Sequence, residues 1–205
     1  NDVFIQASAL VSDKVSMVAG LRHSTVRLSS ADNYLSDGNG SGSVSYQAAS
    51  PVLGLTYHAS DDLNLYANYG KGFEGPTLAE VAYSGGGTPA FNTAINASSS
   101  QHYELGIKWA PSSRLRLDFT LFQINSEDEI VVARSSGGNT SFKNAPGTRR
   151  TGWELTGSTQ LAANWQATLA ATQIDATFSQ AFTSGTSGIA SGNRIPGIPK
   201  HFIFS

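Results

Sequence analysis

The chain has 205 residues, of which 40% are hydrophobic and only 14% are charged, and it has a net charge of −2 and no cysteine. A net charge so near zero excludes the basic surface that nucleic acid needs, and the lack of cysteine excludes disulfides, thiolate metal sites and cysteine nucleophiles. No apolar run approaches the ~18 residues that a transmembrane helix requires.

Alternation of apolar and polar residues recurs along the chain and predicts β-strands, because successive side chains of a strand point to opposite faces. The first predicted hairpin runs from about Val3 to Val11 and returns from Val15 to about Leu28. Three more hairpins are predicted at 53–58 with 63–69, 103–109 with 115–121, and 153–156 with 165–172. A ninth strand is predicted to start near Lys200.

The connections between these strands alternate in length. Short turns are predicted at 12–14, 60–62, 111–113 and 162–164. Long segments rich in Gly, Ser, Asn and Thr are predicted at 31–43, 72–101, 135–146 and 179–198. Outer-membrane barrels show this asymmetry, with turns toward the periplasm and loops toward the outside. Inside the second long segment, Thr77 and Glu80 have the spacing of a capping box and predict one helical turn.

The face opposite the apolar residues carries Gly, Ser, Thr, Asn and Gln and few charges, which favours a solvated lumen over the charged exterior of a soluble sandwich. Aromatic residues near the strand ends (Tyr57, Tyr103, Trp109 and Trp165) match the girdles of a membrane barrel. Pro51 interrupts a strand, so we expect a strand start, a bulge or an edge there. The predicted fold is all-β, an antiparallel transmembrane β-barrel of about nine strands with short periplasmic turns and long extracellular loops.

Three stretches of the sequence resemble TonB-dependent outer-membrane receptors for siderophores. The first stretch has Pro51-Val52-Leu53-Gly54-Leu55, Leu63, Tyr66, Ala67, Tyr69, Gly70, Gly72-Phe73, Pro76, Thr77 and Glu80. The second has Asp128-Glu129-Ile130-Val131-Val132, Asn144-Ala145, Thr148-Arg149-Arg150, Gly152 and Glu154. The third has Asn193-Arg194-Ile195-Pro196 and Pro199-Lys200-His201. Together they span about residues 50–201 in the family's order.

The resemblance implies a barrel of roughly 22 strands that holds a folded plug. From it we expect residues 1–205 to be one partial barrel domain, the C-terminal part, without the plug and the closing strands. The implied function is TonB-dependent uptake of a ferric siderophore or similar metal chelate, with outer-membrane lipid, the receptor's own plug and the TonB complex as partners. The alternatives are a passive or structural outer-membrane barrel and a secreted β-sandwich adhesin.

Two groups of side chains are the candidates for function. Eight ionisable residues have the parity of the polar face, where they would contact the plug, line a pathway, or pair with one another as Glu104 with Arg116 or Lys108 with Asp118. They are Arg22, His58, Glu104, Lys108, Arg116, Asp118, Arg150 and Glu154. Four aromatic residues in or near the long loops would stack on a chelate or on one another: Phe73, Tyr83, Phe91 and Phe142.

Other sites are not expected. The four histidines (His23, His58, His102 and His201) lack the spacing of metal ligands, and the acidic residues 127–129 are expected to be solvated in a loop. No nucleophile elbow, phosphate loop or paired-histidine motif is present. We therefore expect no metal site, no cofactor and no catalysis, with an outer-membrane barrel enzyme as the minor alternative.

Overall fold

The structure, a computed structural model, describes residues 1–84, 91–136, 138–184 and 187–199. Its strands are β1 (Asp2–Ser12), β2 (Val15–Ser30), β3 (Gly42–His58), β4 (Leu63–Glu74), β5 (Ser98–Ser112), β6 (Leu115–Glu127), β7 (Ile130–Ser136), β8 (Asn139–Asn144), β9 (Thr148–Ala162), β10 (Trp165–Phe178), β11 (Phe182–Ser184) and β12 (Ser187–Ile189). A short helix, α1 (Leu78–Val81), and a 3-10 turn (Leu35–Asp37) lie in the long connections. None of the helices in the described ranges is long and apolar enough to cross a membrane.

Eight strands form one antiparallel sheet in the order β1-β2-β3-β4-β5-β6-β9-β10. The four predicted hairpins are confirmed, because β1 pairs with β2, β3 with β4, β5 with β6 and β9 with β10 across the short turns. In the part of the chain that is described, this sheet does not close on itself. The predicted ninth strand near Lys200 lies outside the described residues.

Two further hairpins stand apart from the large sheet, β7 with β8 and β11 with β12. The sequence predicts long connecting segments at 135–146 and 179–198 and assigns no strands to them. The alternating residues of these hairpins are too few to separate a short strand from an irregular loop, so their regular pairing was not predicted.

The register gives the sheet one apolar face and one polar face. Ala67 lies opposite Leu105, and Leu105 lies opposite Leu121, so these side chains share one face. This apolar face is open: Leu105 is 60% exposed and Leu161 is 67% exposed. None of the described residues packs across this face.

Buried side chains gather instead at the ends of the strands that join the long connections. The Tyr46 hydroxyl on β3 donates a hydrogen bond of 2.8 Å to the carbonyl of Ile95. The buried hydrophobic residues are Tyr46, Val81, Ile95, Ala145, Ala171, Ala176 and Phe178. The sandwich alternative needs two packed sheets, whereas the described residues form one large sheet and two small hairpins.

Pro51 lies inside β3, opposite Leu21 of β2. The ladder between β3 and β4 begins at Val52. Residues 42–51 of β3 therefore have no partner on β4, and this side of β3 is a local edge. A proline is tolerated at an edge because its missing N–H removes no ladder hydrogen bond there. Of the three predicted alternatives for Pro51, the structure therefore shows the edge.

Candidate functional site

A polar cavity of about 460 Å³ opens where the polar face of the sheet meets the long connections. Its lining residues are Gly72, Phe73, Glu74, Glu80, Ser98, Ser100, Ser126, Glu129, Ile130 and Arg150. The volume lies within the range of small-molecule sites, roughly 300–1,000 Å³. The lining includes carboxylates, hydroxyls and one guanidinium, which suit a polar ligand that makes several hydrogen bonds. We call this site the mouth cavity.

An ion pair forms one wall of the mouth cavity. Arg150 Nη1 lies 2.6 Å from Glu129 Oε1 and 2.8 Å from Thr148 Oγ1, and Arg150 Nη2 lies 3.2 Å from Glu129 Oε2. Both side chains are mostly buried, at 22% and 24% exposure. The expectation that residues 127–129 are all solvated is therefore wrong for Glu129, whose partner on β9 is not visible from the local sequence.

The environment of Glu129 has opposing effects on its pKa. Burial raises the pKa, while hydrogen bonds from Arg150 and Thr148 and the positive charge of Arg150 lower it, and the net direction is downward. A carboxyl whose folded pKa is lowered stabilises the fold above its unfolded pKa, and this stabilisation is lost as the pH falls through the folded pKa. The ion pair thus holds the root of the β7–β8 hairpin at neutral pH.

We expect acid to loosen the β7–β8 hairpin. Because the chain has no cysteine, a nitroxide attached to Ser135→Cys reports on this hairpin alone. Electron paramagnetic resonance should show label mobility rising below about pH 4, the ordinary pKa range of a glutamate. The same label with Glu129→Gln should show mobility independent of pH in this range, and an equal pH response in both proteins would contradict the prediction.

A capping box fixes the carboxylate of Glu80, which also lines the mouth cavity. Glu80 Oε2 accepts hydrogen bonds from the Thr77 backbone N at 2.7 Å and from Thr77 Oγ1 at 2.9 Å. The Glu80 backbone N in turn donates to Thr77 Oγ1, which completes the box. The predicted helical turn is confirmed, and it explains why this carboxylate keeps one position.

Asn144 forms hydrogen bonds to two separate connections near the mouth cavity. Its side-chain Nδ2 donates to the carbonyls of Asp128 at 2.7 Å and Asn96 at 3.0 Å, and its Oδ1 accepts from the Asn96 backbone N at 2.8 Å. Asp128 has a φ of +57°, a conformation that aspartate adopts more readily than most residues. The hairpin root and the connection that carries α1 are therefore joined by one side chain.

The eight predicted ionisable residues all lie on the polar face. Register places them there: His58 is opposite Asn64, which is opposite Lys108, which is opposite Asp118. Register also places the other five on this face. The pairs are Arg22 with Ser50, Glu104 with Asn68, Arg116 with Ser158, Arg150 with Ile124, and Glu154 with Thr120. Only Arg150 lines the mouth cavity. Contact of the others with a plug or a pathway stays a prediction.

The cross-strand ion pairs suggested by the sequence are not formed. Glu104 lies opposite Phe122, far along β6 from Arg116, and accepts a hydrogen bond of 3.3 Å from Asn68. Lys108 does lie opposite Asp118, yet Asp118 pairs at 2.9 Å with Arg116 of its own strand. The Nζ of Lys108 lies 5.2 Å from the ring centroid of Tyr66 instead.

The four loop aromatics do not converge. Phe73 borders the mouth cavity, but its register with Ser99 puts its ring on the apolar face. Phe91 packs against Gly42 at the start of β3. Tyr83 follows α1, and Phe142 lies on β8 opposite Val132. The structure therefore brings one of the four to the cavity, and ligand contact by any of them stays a prediction.

A hydrogen-bonded relay beside the short turns was not predicted from the sequence. Ser16 Oγ lies 3.0 Å from His58 Nε2, and His58 Nδ1 lies 2.5 Å from Asn64 Oδ1. The order of groups resembles a nucleophile, base and orienting residue. Ser16, however, lies within β2 between β1 and β3, so its backbone N–H belongs to the sheet ladder rather than to an oxyanion site. Among the described side chains no cluster of three or more His, Cys, Asp or Glu could hold a metal ion.

The open apolar face, the polar opposite face and the alternation of short turns with long connections define a segment of an outer-membrane β-barrel. The chain matches the family model described as "TonB dependent receptor-like, beta-barrel" over residues 1–203, and it belongs to that family. The family consists of receptors and transporters of the bacterial outer membrane, which is where this chain resides.

Several known proteins are similar to the chain. It is 27% identical over 157 residues to the metal-pseudopaline receptor CntO of Pseudomonas aeruginosa (strain UCBPP-PA14), covering 76% of this chain and 20% of CntO. The copper transporter OprC has a TM-score of 0.71 at 17% identity, covering 87% of this chain and 29% of OprC. The ferric yersiniabactin uptake receptor FyuA of Yersinia pestis has a TM-score of 0.69 at 19% identity, covering 97% of this chain and 29% of FyuA. The chain thus spans 20% of its curated relative, and the structural likenesses show the fold.

Proposed function

We propose that the chain forms part of a receptor that binds a metal chelate at the outer surface and imports it by a TonB-dependent mechanism. The mouth cavity is the observation that carries this proposal. It lies at the end of the strands that bears the long connections, which in an outer-membrane barrel is the extracellular end. A ligand arriving from outside therefore meets this cavity before the lumen.

The chemistry of the mouth cavity suits a chelate better than a bare ion. The Glu80 and Glu129 carboxylates are already held by hydrogen bonds, so they offer fixed polar contacts rather than a free set of metal ligands. Glu74, opposite Ser98 on the polar face, adds an exposed carboxylate. A ferric siderophore or a similar complex is the ligand we propose, as cargo that is transported unchanged and without catalysis. The names of CntO, OprC and FyuA, which mention metal-pseudopaline, copper and ferric yersiniabactin, support this class.

The polar face has a second role in this proposal. We propose that a plug packs on it and that TonB moves the plug, with the exposed charges of Arg116 and Glu154 among the groups that hold it. Charged groups on opposing surfaces hold such a contact in register without a large apolar interface. Release of a plug then needs no disruption of the barrel strands.

The test is uptake by cells that lack the native gene and carry the complete receptor. The probe is the chelator pool of culture medium from metal-starved cells of the same bacterium, loaded in separate experiments with radioactive iron, copper or nickel. We expect saturable uptake that a protonophore abolishes. Glu74→Ala should raise the half-saturating concentration by about tenfold, the effect of losing about 1.4 kcal/mol of binding. Glu127→Ala changes a glutamate on the other face of the sheet, outside the mouth cavity, and is the matched control that should leave uptake unchanged.

Two results would contradict the proposal. Uptake that does not saturate and that survives the protonophore would identify a passive barrel. Equal effects of Glu74→Ala and Glu127→Ala would remove the mouth cavity from the binding site while leaving energised transport intact.

A further inference from the structure

A second cavity opens on the polar face of β1, β2 and β3, beside the mouth cavity. Its volume is about 430 Å³, which lies within the range of small-molecule sites, roughly 300–1,000 Å³. Arg22 of β2 and Ser50 of β3 are register partners on its wall. Gln6 of β1 also lines it, opposite Gly20, which has no side chain to fill the space. We call this space the Arg22 cavity.

The guanidinium of Arg22 is available for a ligand. Arg22 is exposed, and it forms no hydrogen bond or ion pair with any described residue. Among the residues that the structure describes, no aspartate or glutamate lines the cavity. Asp2 shares the polar face on β1, but it lies outside the cavity, opposite Ser24, and is not paired with Arg22. An arginine stays charged at any physiological pH, so the cavity keeps a fixed positive charge.

The hydroxyl of Ser50 lacks a partner although it is buried. Ser50 is 6% exposed, and its Oγ forms no hydrogen bond with a described residue. Buried polar groups are nearly always hydrogen-bonded, so a hydroxyl left without a partner on a cavity wall indicates a bond that a group from outside the chain completes. Because Ser50 lies opposite Arg22, one ligand group can contact both side chains.

The Arg22 cavity and the mouth cavity adjoin each other and differ in charge. Three carboxylates and one guanidinium line the mouth cavity, whereas the described lining of the Arg22 cavity has no carboxylate. The two cavities meet on β4, where Lys71 borders the Arg22 cavity and Gly72 borders the mouth cavity. A negatively charged group of a ligand is therefore repelled at the mouth cavity and attracted at the Arg22 cavity.

We propose that the Arg22 cavity binds a free carboxylate of the metal chelate, one that does not coordinate the metal. This inference rests on the proposed function and names a feature of its ligand. The two oxygens of a carboxylate match the planar fork of a guanidinium, and one positive charge balances one negative charge. Ser50 Oγ donates to the same carboxylate, and Gln6 offers an amide beside it. Two strand spacings of about 4.8 Å separate β2 from β4, so this carboxylate lies roughly 10 Å from the part of the chelate in the mouth cavity.

Uptake by cells that carry the complete receptor tests the inference. The probe is the metal-loaded chelator pool of metal-starved cells, before and after treatment with carbodiimide and methylamine, which converts free carboxylates into neutral amides. For the native receptor we expect this treatment to raise the half-saturating concentration by about tenfold, as for the loss of a charge-assisted hydrogen bond. Arg22→Gln should raise it by the same factor with the untreated pool, and the treated pool should give no further rise. The maximum rate should not change, because the energised step is not altered.

Three further variants give the inference finer detail. Arg22→Lys keeps the charge but not the planar fork, so its half-saturating concentration should lie between those of the native receptor and Arg22→Gln. Ser50→Ala should raise the half-saturating concentration by about threefold, as for the loss of one neutral hydrogen bond. Arg27→Gln removes the same charge from the same strand on the other face, opposite Ser45, and should leave uptake unchanged. Heat-dependent gel migration confirms that each variant is folded.

An unchanged half-saturating concentration in Arg22→Gln, in cells where the native receptor gives saturable and protonophore-sensitive uptake, would overturn this inference and leave the proposed function intact. Lack of such uptake by the native receptor would contradict the proposed function and this inference with it. Arg22→Gln could also make uptake resistant to the protonophore without changing the half-saturating concentration. That result would overturn the inference, because it would show that Arg22 holds a carboxylate of the plug.

Discussion

Leu105→Arg should destabilise the barrel by about 2–4 kcal/mol, the effect of an arginine on the lipid face near the bilayer midplane. Leu105 lies between the Tyr69–Tyr103 pair and Trp109 along the strand, and it is 60% exposed on the apolar face. Its neighbours in register are Ala67 and Leu121, which offer no partner for a charge. Equilibrium unfolding of the complete barrel in lipid vesicles measures the change in free energy.

Gln101→Arg is the matched control for this prediction. It introduces the same side chain on the same strand and the same face, but at the extracellular edge of the apolar face, level with Lys71 and Asn125. An arginine at this depth should cost only about 0–1 kcal/mol. Equal destabilisation by the two variants would show that the face is covered by protein rather than by lipid, because a lipid boundary makes the cost depend on depth.

The strands of the large sheet could be predicted from the sequence because each strand carries its own signal. Alternation of neighbours such as Glu104 and Leu105 fixes the face of every residue, and the register then follows from the short turns. The same alternation puts the eight ionisable residues on one face. Even Pro51 could be placed, since its missing N–H restricts it to a few positions in a sheet.

The mouth cavity could not be predicted because its contacts join distant parts of the chain. Arg150 reaches Glu129 across 21 residues, and Asn144 reaches Asn96 across 48 residues. Local patterns contain no information about such pairs, so an acidic residue in a loop is assigned to solvent by default. The packing of the loop aromatics could not be predicted for a related reason, because the contact of Phe91 with Gly42 depends on how the connection folds back.

Glycines on the polar face make room for large side chains of the neighbouring strands. Gly106 lies opposite Tyr66, and a Cβ built on Gly106 would overlap the Tyr66 ring. The ring therefore crosses β5 at Gly106, and the Tyr66 hydroxyl reaches Thr120 Oγ1 of β6 at 2.7 Å. Because Gly106 has no side chain, the Tyr66 ring of β4 can pass over β5 and form a hydrogen bond to β6. One tyrosine thus links three strands.

Gly106→Ala should destabilise the barrel by about 1–3 kcal/mol, the usual effect of overpacking, because the ring of Tyr66 must leave its place and lose its hydrogen bond. Gly70→Ala is the matched control: the added Cβ lies 3.7 Å from Val52 Cγ1, an ordinary contact, so little change is expected. Unfolding in vesicles measures both variants.

The double variant Gly106→Ala with Tyr66→Ala tests the cause of that loss. If the clash with the ring destabilises Gly106→Ala, then adding the same alanine to a Tyr66→Ala background should cost much less than it does in the native protein. The difference between the two costs is the coupling energy between the positions, and residues in contact give values of about 0.5–3 kcal/mol. A coupling near zero would mean that the loss comes from the backbone of β5, and that Tyr66 does not depend on Gly106 to cross the strand.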